Sequence, residues 1–175
     1  MDYKASIRTI PDYPSPGIQF RDVTTLMGDA EAFASAIADL CALFNADEID
    51  CVAGIDARGF ILGGAMAVEL KAGFLPLRKP GKLPYETFSE AYDLEYGSDA
   101  LHMHTDGVQP GQRVLLVDDL IATGGTAEAG VKLLRRGGDI IEAAVFLVDL
   151  PDLGGADRIR ELGIDVKALV AFDGH

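Results

Sequence analysis

Basic residues are scarce in this chain: 15 lysines and arginines stand against 28 aspartates and glutamates, for a formal charge of −13. A surface of that sign repels phosphate backbones and anionic bilayers, which argues against a sequence-independent grip on nucleic acid or on a membrane. If the ligand is itself an anion, the few bases must be well placed. Cysteine is scarce too: Cys41 and Cys51 lie in apolar surroundings without metal-ligand spacing and read as buried, reduced thiols. No uninterrupted apolar stretch approaches the roughly 20 residues that span a bilayer, and the start at Met1, Asp2, Tyr3 and Lys4 lacks a signal-peptide core. The expected compartment is the cytoplasm. No long polar or low-complexity linker divides the 175 residues, and 49% hydrophobic residues are ample for a core, so one domain is expected over 1–175. Two nucleotide signatures are missing as well. No lysine follows Gly124 and Gly125, which excludes a P-loop, and the spacing fails the G-x-G-x-x-G dinucleotide fingerprint.

What is present is concentrated in Val114 to Thr126, VLLVDDLIATGGT. Val114 to Val117 form a short apolar run, β-branched at both ends, as in a strand buried on both faces of a parallel sheet. Asp118 and Asp119 follow at its carboxyl end. The small-residue turn Ala122, Thr123, Gly124, Gly125, Thr126 then enters a segment of helical spacing, Val131, Leu133 and Leu134, closed by Arg135, Arg136, Gly137 and Gly138. Backbone N–H groups at such a helix start, unobstructed by side chains at the glycines, form an anion site to which two threonine hydroxyls add donors. The acids would repel a phosphate, so they suit neutral hydroxyls or a developing positive charge. A sugar phosphate meets both demands. A paired acid at a helix entry followed by an ordinary turn is the plain structural alternative, and a phosphoaspartyl hydrolase would also place an acid after an apolar strand.

The rest of the chain repeats the strand, polar turn, helix pattern. Ala30 to Phe44 carries Phe33, Ile37, Leu40, Cys41 and Phe44 at steps of three and four, an amphipathic helix. Ile49 to Ile55 reads as a strand, followed by Asp56, Ala57, Arg58 and Gly59 and a helix through Phe60, Leu62, Met66 and Leu70. A cation at that helix start meets the positive end of the dipole. Arg58 therefore points to an anionic ligand, or else pairs with Glu69 or another acid. Phe74 to Leu77, a third strand, leads into Arg78, Lys79 and Lys82, three of the 15 bases within five residues. Residues 83–107 read as a two-stranded excursion: Tyr92, Leu94 and Tyr96 alternate with Asp93 and Glu95, and Leu101, Met103 and Thr105 with His102 and His104. The histidine pair lacks the ligands to complete a metal site and reads as a strand's solvent face. Glu142 to Val148 and Gly163 to Phe172 are further strands, with a loop at Asp149 to Asp157 and no catalytic part for it or for His175. Near the start, proline- and glycine-punctuated residues 10–22 cannot be a regular helix and read as a loop pinned by Tyr13, Ile18 and Phe20.

VLLVDDLIATGGT resembles the phosphoribosyl pyrophosphate motif of the type I phosphoribosyltransferases, and its ATGGT ending resembles the adenine phosphoribosyltransferase branch. In the hypoxanthine and guanine enzymes an aspartate usually stands where Ala122 is. Four further segments are similar to that branch, in order: PSPGIQFRD to its hood, DARGF to its pyrophosphate loop, RKPGKLP to its basic segment and YDLEYG to its flexible loop. The resemblance implies an α/β fold, a mostly parallel central sheet flanked by helices, with a small hood at 1–28 and a flexible catalytic β-loop at 80–106.

It also implies a purine-salvage reaction, transfer of ribose 5-phosphate from phosphoribosyl pyrophosphate to N9 of adenine, giving AMP and pyrophosphate, with Mg²⁺ held mainly by the substrate, in a homodimer. Phe20 would stack on the base while the main chain of Gln19 and Arg21 reads its edge. Asp56, Ala57, Arg58, Gly59, Arg78, Lys79 and Lys82 would hold pyrophosphate, with a non-proline cis peptide joining Asp56 to Ala57. Asp118 and Asp119 would hold the ribose, and Ala122 to Thr126 the 5-phosphate. Glu95 would manage the proton at N7 of the base, and Tyr96 would help to close the site. Another base, or a phosphoribosyl pyrophosphate sensor acting in transcription, are the alternatives; the second needs a DNA-binding module, and no basic helix is visible.

Overall fold

The computed structural model describes residues 1–94 and 96–174; Glu95 and His175 lie outside the described residues. A short helix α1 (Tyr3–Ser6) precedes the hairpin β1 (Arg8–Pro11) and β2 (Gln19–Asp22), then α2 (Thr24–Met27) and α3 (Ala30–Cys41). Next come β3 (Cys51–Ile55), α4 (Arg58–Leu70), β4 (Gly73–Leu77) and a second hairpin, β5 (Thr87–Leu94) and β6 (Gly97–His104). The chain continues through β7 (Arg113–Ile121), α5 (Gly125–Arg136), β8 (Ile140–Asp149), α6 (Gly155–Arg160) and β9 (Val166–Ala171). The central sheet has the order β4-β3-β7-β8-β9, and all its pairs are parallel.

Alternation along the central strands divides the core in two. Cys51, Ala53, Leu116, Ala144 and Phe146 face the layer containing α5 and the second hairpin. Val52, Leu115, Val117, Val145 and Leu147 face α3, α4 and the amino-terminal Tyr3 and Ile7. Burial of both faces accounts for the continuous apolar runs of β3, β7 and β8. The helix α3 starts on Asp29, whose carboxylate accepts from the Ala32 N–H at 2.9 Å. It ends at Cys41, three residues before the expected end, because Leu43 and Phe44 donate to Leu40 and Cys41 and tighten the last turn.

Two departures from the sequence reading concern the site. The strand β7 does not stop before the paired acids but runs on to Ile121, since Leu120 and Ile121 pair with Val148 and Asp149 of β8. The stretch Asp149 to Asp157 is not a bare loop: it carries a 3₁₀ turn (Pro151–Leu153) and the start of α6. Gly155 opens that helix against the turn before α5, its N–H donating to Ala122 O at 3.0 Å. A Cβ on Gly155 would stand 2.4 Å from Ala122 O and 2.8 Å from Gly124 N, and Gly124 itself has φ of +88°. The second hairpin rests on α5, where Arg136 Nη1 donates to Ser89 O at 2.7 Å and its guanidinium lies 4.9 Å from the Phe88 ring centroid.

Among the described residues, one buried acid has no partner. Asp139, 9% exposed just after the Gly137-Gly138 turn, has no hydrogen bond on either carboxylate oxygen. Burial pushes its pKa up to about 6. Because the folded value lies above the unfolded one, the penalty is absent below about pH 4, grows between pH 4 and 6, and is complete above that. Asp139→Asn is expected to stabilise the fold at pH 7.5 by on the order of 1–2 kcal/mol, the gain vanishing near pH 4; denaturant melts at both pH values check this. Gly155→Ala is expected to destabilise by about 1–3 kcal/mol through its backbone clash and to weaken binding of inorganic phosphate. Unchanged melting and phosphate affinity would refute the role given to that contact.

Candidate active site

The site occupies a step in the sheet. The strand β3 ends at Ile55 and pairs with β7 only as far as Val117, while β7 continues to Ile121 along β8. The carboxyl ends of parallel strands are where open α/β sheets place ligands. Here a cavity of about 400 Å³ opens, with Ile18, Gln19, Phe20 and Arg21 of the hood on one side. Asp118, Asp119 and Arg58 line it too, as do Ala122 to Thr126. The sequence reading missed the apolar floor of Phe146, Leu150 and Leu153. The signal was the pair of leucines, spaced three apart, in a segment otherwise made of acids, glycines, one proline and one alanine.

Gly124 turns the chain in the left-handed region and α5 begins at Gly125 with no side-chain cap on its first N–H groups. Those donors and the helix dipole favour an anion. The turn is held from behind by α6: Arg158 Nη1 donates to Thr123 O at 3.3 Å, and the same guanidinium pairs with Glu128.

The two acids differ. Asp119 is 5% exposed and pairs with Arg58, whose Nε donates to its Oδ2. Asp118 accepts the Asp119 N–H on Oδ1 at 2.8 Å. Burial, then the neighbouring Asp119 charge, push the Asp118 carboxyl well above the ordinary carboxylate range. Hydrogen bonding to Asp119 raises the Arg58 pKa further. The acid that offsets the unfavourable cation at the start of α4 is thus Asp119, 61 residues away, and not Glu69.

The basic segment converges on one carboxylate. The Asp56 side chain is 6% exposed; its Oδ2 accepts the Lys79 N–H at 3.2 Å and lies 3.4 Å from Lys82 Nζ and 3.5 Å from Arg78 Nε. Burial opposes its charge, but the Lys79 N–H and the Lys82 and Arg78 cations outweigh it and hold the carboxyl below the usual range. The Asp56–Ala57 peptide is cis, as the resemblance implied. Gly59 lies tight against β7, where a Cβ would stand 2.9 Å from Val117 O and 3.0 Å from Asp118 Oδ1. The loop 56–59 is therefore seated on the acids. Of the seven residues assigned to pyrophosphate, only Arg58 lines the cavity; Asp56, Ala57, Gly59, Arg78, Lys79 and Lys82 do not.

In the hood, the Phe20 ring meets Tyr13 edge-on, centroids 5.2 Å apart at 81°. The Arg21 guanidinium is anchored 4.3 Å from the Phe172 centroid, with Nη1 donating to Thr9 Oγ1 at 2.6 Å. Pro11 is the register partner of Gln19 and offers no N–H, so the hairpin ladder thins at the cavity end. Tyr96, at the tip of the second hairpin, is 92% exposed; Glu95 beside it is outside the described residues. His102 and His104 alternate with the buried Leu101 and Met103, as a strand's outer face does.

With this geometry established, comparison with known proteins is informative. A family model described as "Phosphoribosyl transferase domain" matches residues 25–167. An adenine phosphoribosyltransferase of Bradyrhizobium sp. (strain ORS 278) is 61% identical over 175 residues, covering 100% of this chain and 98% of that protein. The crystal structure of adenine phosphoribosyltransferase from Thermoanaerobacter pseudethanolicus superposes with a TM-score of 0.91 at 46% identity, covering 98% of each chain. The enzyme from Saccharomyces cerevisiae, complexed with an imino-altritol bisphosphate and adenine, gives 0.90 at 34% identity, covering 97% of each chain. A parallel sheet stepped at the paired acids, a capless glycine turn and a full-length likeness of this degree together place the chain in the phosphoribosyltransferase family, in its adenine phosphoribosyltransferase branch.

Proposed function

We propose that the cavity joining Phe20 to the Gly124-Gly125 turn holds a purine and a ribose 5-phosphate end to end, with the acids between them. The reaction is transfer of ribose 5-phosphate from phosphoribosyl pyrophosphate to N9 of adenine, forming AMP and releasing pyrophosphate. The observation that carries the assignment of residues is this continuity of an aromatic hood, two carboxylates and an anion turn around one cavity of about 400 Å³.

Loss of pyrophosphate leaves positive charge on the sugar ring. Asp118 and Asp119 accept hydrogen bonds from the ribose hydroxyls and favour that charge. Arg58 and the Arg78, Lys79 and Lys82 cations neutralise the leaving group with the loop of Asp56, Ala57 and Gly59, while Ala122, Thr123, Gly124, Gly125 and Thr126 anchor the 5-phosphate. Phe20 stacks on the adenine and the main chain of Gln19 and Arg21 reads its edge. Glu95 holds the proton at N7 and Tyr96 closes over the base, excluding water. Mg²⁺ bound with phosphoribosyl pyrophosphate would supply further neutralising charge to the diphosphate, beside Arg58, Arg78, Lys79 and Lys82.

Two further readings accompany this one. A second copy of the chain covers the outer face of α4, where Ile61 and Val68 are 48% and 81% exposed beside the half-exposed Phe74. The compartment is the cytoplasm, in keeping with two free, buried cysteines; among the described residues no helix is long and apolar enough to cross a membrane.

Pyrophosphate release from phosphoribosyl pyrophosphate is expected to require adenine and to be far slower with guanine or hypoxanthine; equal rates would remove the base assignment, in which Ala122 takes part. Glu95→Gln is expected to lower turnover by about 10²-fold with little change in phosphoribosyl pyrophosphate affinity, and unchanged turnover would take Glu95 out of the mechanism. Val68→Glu should convert a dimer to a monomer in analytical ultracentrifugation, whereas a variant that still sediments as a dimer would place the interface elsewhere.

A further inference from the structure

One polar cluster joins Lys79 to two residues, Tyr92 and Asp99, that the reaction as assigned does not use. Tyr92 in β5 and Asp99 in β6 are cross-strand partners, and Lys79 lies against both. Lys79 Nζ donates to the Tyr92 hydroxyl and stands 2.7 Å from Asp99 Oδ2; the same hydroxyl donates to that oxygen at 3.3 Å. Tyr92 is 8% exposed, so the triangle is built on a fixed ring rather than a free surface side chain. Lys79 is also tied to the pyrophosphate loop through its N–H on Asp56. Its neighbour Arg78 exchanges both backbone hydrogen bonds with His102 of β6, at 2.9 and 2.8 Å. On its other side the hairpin reaches the phosphate turn: a Cβ on Gly125 would lie 3.8 Å from Asp93 O and 3.9 Å from Tyr92 Cδ2.

We propose that Tyr92 and Asp99 are positioning residues that hold the Lys79 ammonium on the hairpin, and that pyrophosphate binds by taking Lys79 from Asp99. This rests on the assignment of Lys79 to the leaving group. Asp99 is then an internal competitor of pyrophosphate for one cation: it lowers the affinity for that product and hastens its release. The exchange also couples the hairpin to occupancy of the leaving-group site, because the cation that moves is the one that fastens the hairpin to the basic segment. An ion pair about a third exposed on each side is weak enough to be exchanged, and a phosphate oxygen is a strong enough acceptor to take the ammonium.

The test is titration of magnesium pyrophosphate into the wild type, Asp99→Asn, Tyr92→Phe, Lys79→Met and the double variant Lys79→Met/Asp99→Asn, with AMP affinity and thermal melting as controls for folding. Lys79→Met should weaken pyrophosphate binding. Asp99→Asn should tighten it by about fivefold, Tyr92→Phe should tighten it by less, and Asp99→Asn should have no effect once Lys79 is gone, with AMP affinity constant throughout. If Lys79→Met weakens binding but Asp99→Asn does not tighten it, the inference is overturned and the leaving-group assignment stands. A gain from Asp99→Asn that persists without Lys79 means direct repulsion and also overturns the exchange. Weaker binding by Tyr92→Phe overturns the part given to the hydroxyl. If Lys79→Met changes nothing, the leaving-group assignment itself falls, and the exchange with it.

Discussion

Each of the cations that shape this site stands against a carboxylate, and that constraint organises the rest. Arg58 is on Asp119, Arg78 and Lys82 are on Asp56, Lys79 is on Asp99, and Arg158 behind the phosphate turn is on Glu128. In a chain with 28 acids and 15 bases, an unpaired cation cluster would be a strong local field on an opposing background. Pairing positions the guanidinium and ammonium groups before any anion arrives, and only the Lys79 pair is proposed to exchange. The partners nearest the sheet, Asp56 and Asp119, are the most buried, so their ion pairs are the least screened and set where Arg58, Arg78 and Lys82 stand.

The anion turn is held by a different means, backbone against backbone. Its Gly124 takes a conformation that disfavours side chains, and Gly155 leaves no room for a Cβ between α6 and the Ala122 carbonyl. A phosphate cradle made of N–H groups depends on positions fixed to tenths of an ångström, which flexible side chains cannot supply as well as a packed main chain does. The price is a segment, 149–157, that offers the cavity only the apolar side chains of Leu150 and Leu153 and yet cannot be altered freely.

The difference between charge and backbone support explains what could be read from sequence. The strands β3, β7 and β8 were legible because burial on both faces leaves a plain apolar run, and α4 and α5 because their apolar residues recur at helical steps. The paired acids, the glycine turn and the cluster Arg78 to Lys82 were legible as local chemistry, and the family resemblance joined them into one site. The continuation of β7 through Asp118 to Ile121 was not: acids are poor strand formers, and the pairing that extends the strand comes from Val148 and Asp149 on β8. The six-residue α6 has too few apolar positions to show a period. The partner of Arg58 was invisible for the same reason as the β7 extension, since Asp119 is brought to it by sheet order and not by spacing along the chain.

The two ends of the substrate site belong to different parts of the sheet. The basic segment Arg78 to Lys82, proposed for pyrophosphate, follows β4 at its edge, while the Ala122 to Thr126 turn, proposed for the 5-phosphate, follows β7, two strands in. The loop 56–59 links the first to the acids through Gly59, but the hairpin of β5 and β6 reaches both, by Arg78 and Lys79 on one side and by Gly125 and Arg136 on the other. In the proposed exchange, a segment that touches both ends would respond to whichever is filled. The hairpin is packed on α5 along its strands and exposed at Tyr96; in the proposed reaction the packed part would meet the phosphates and the exposed end the base. That gradient suits a reaction in which the diphosphate must be positioned before the base is enclosed.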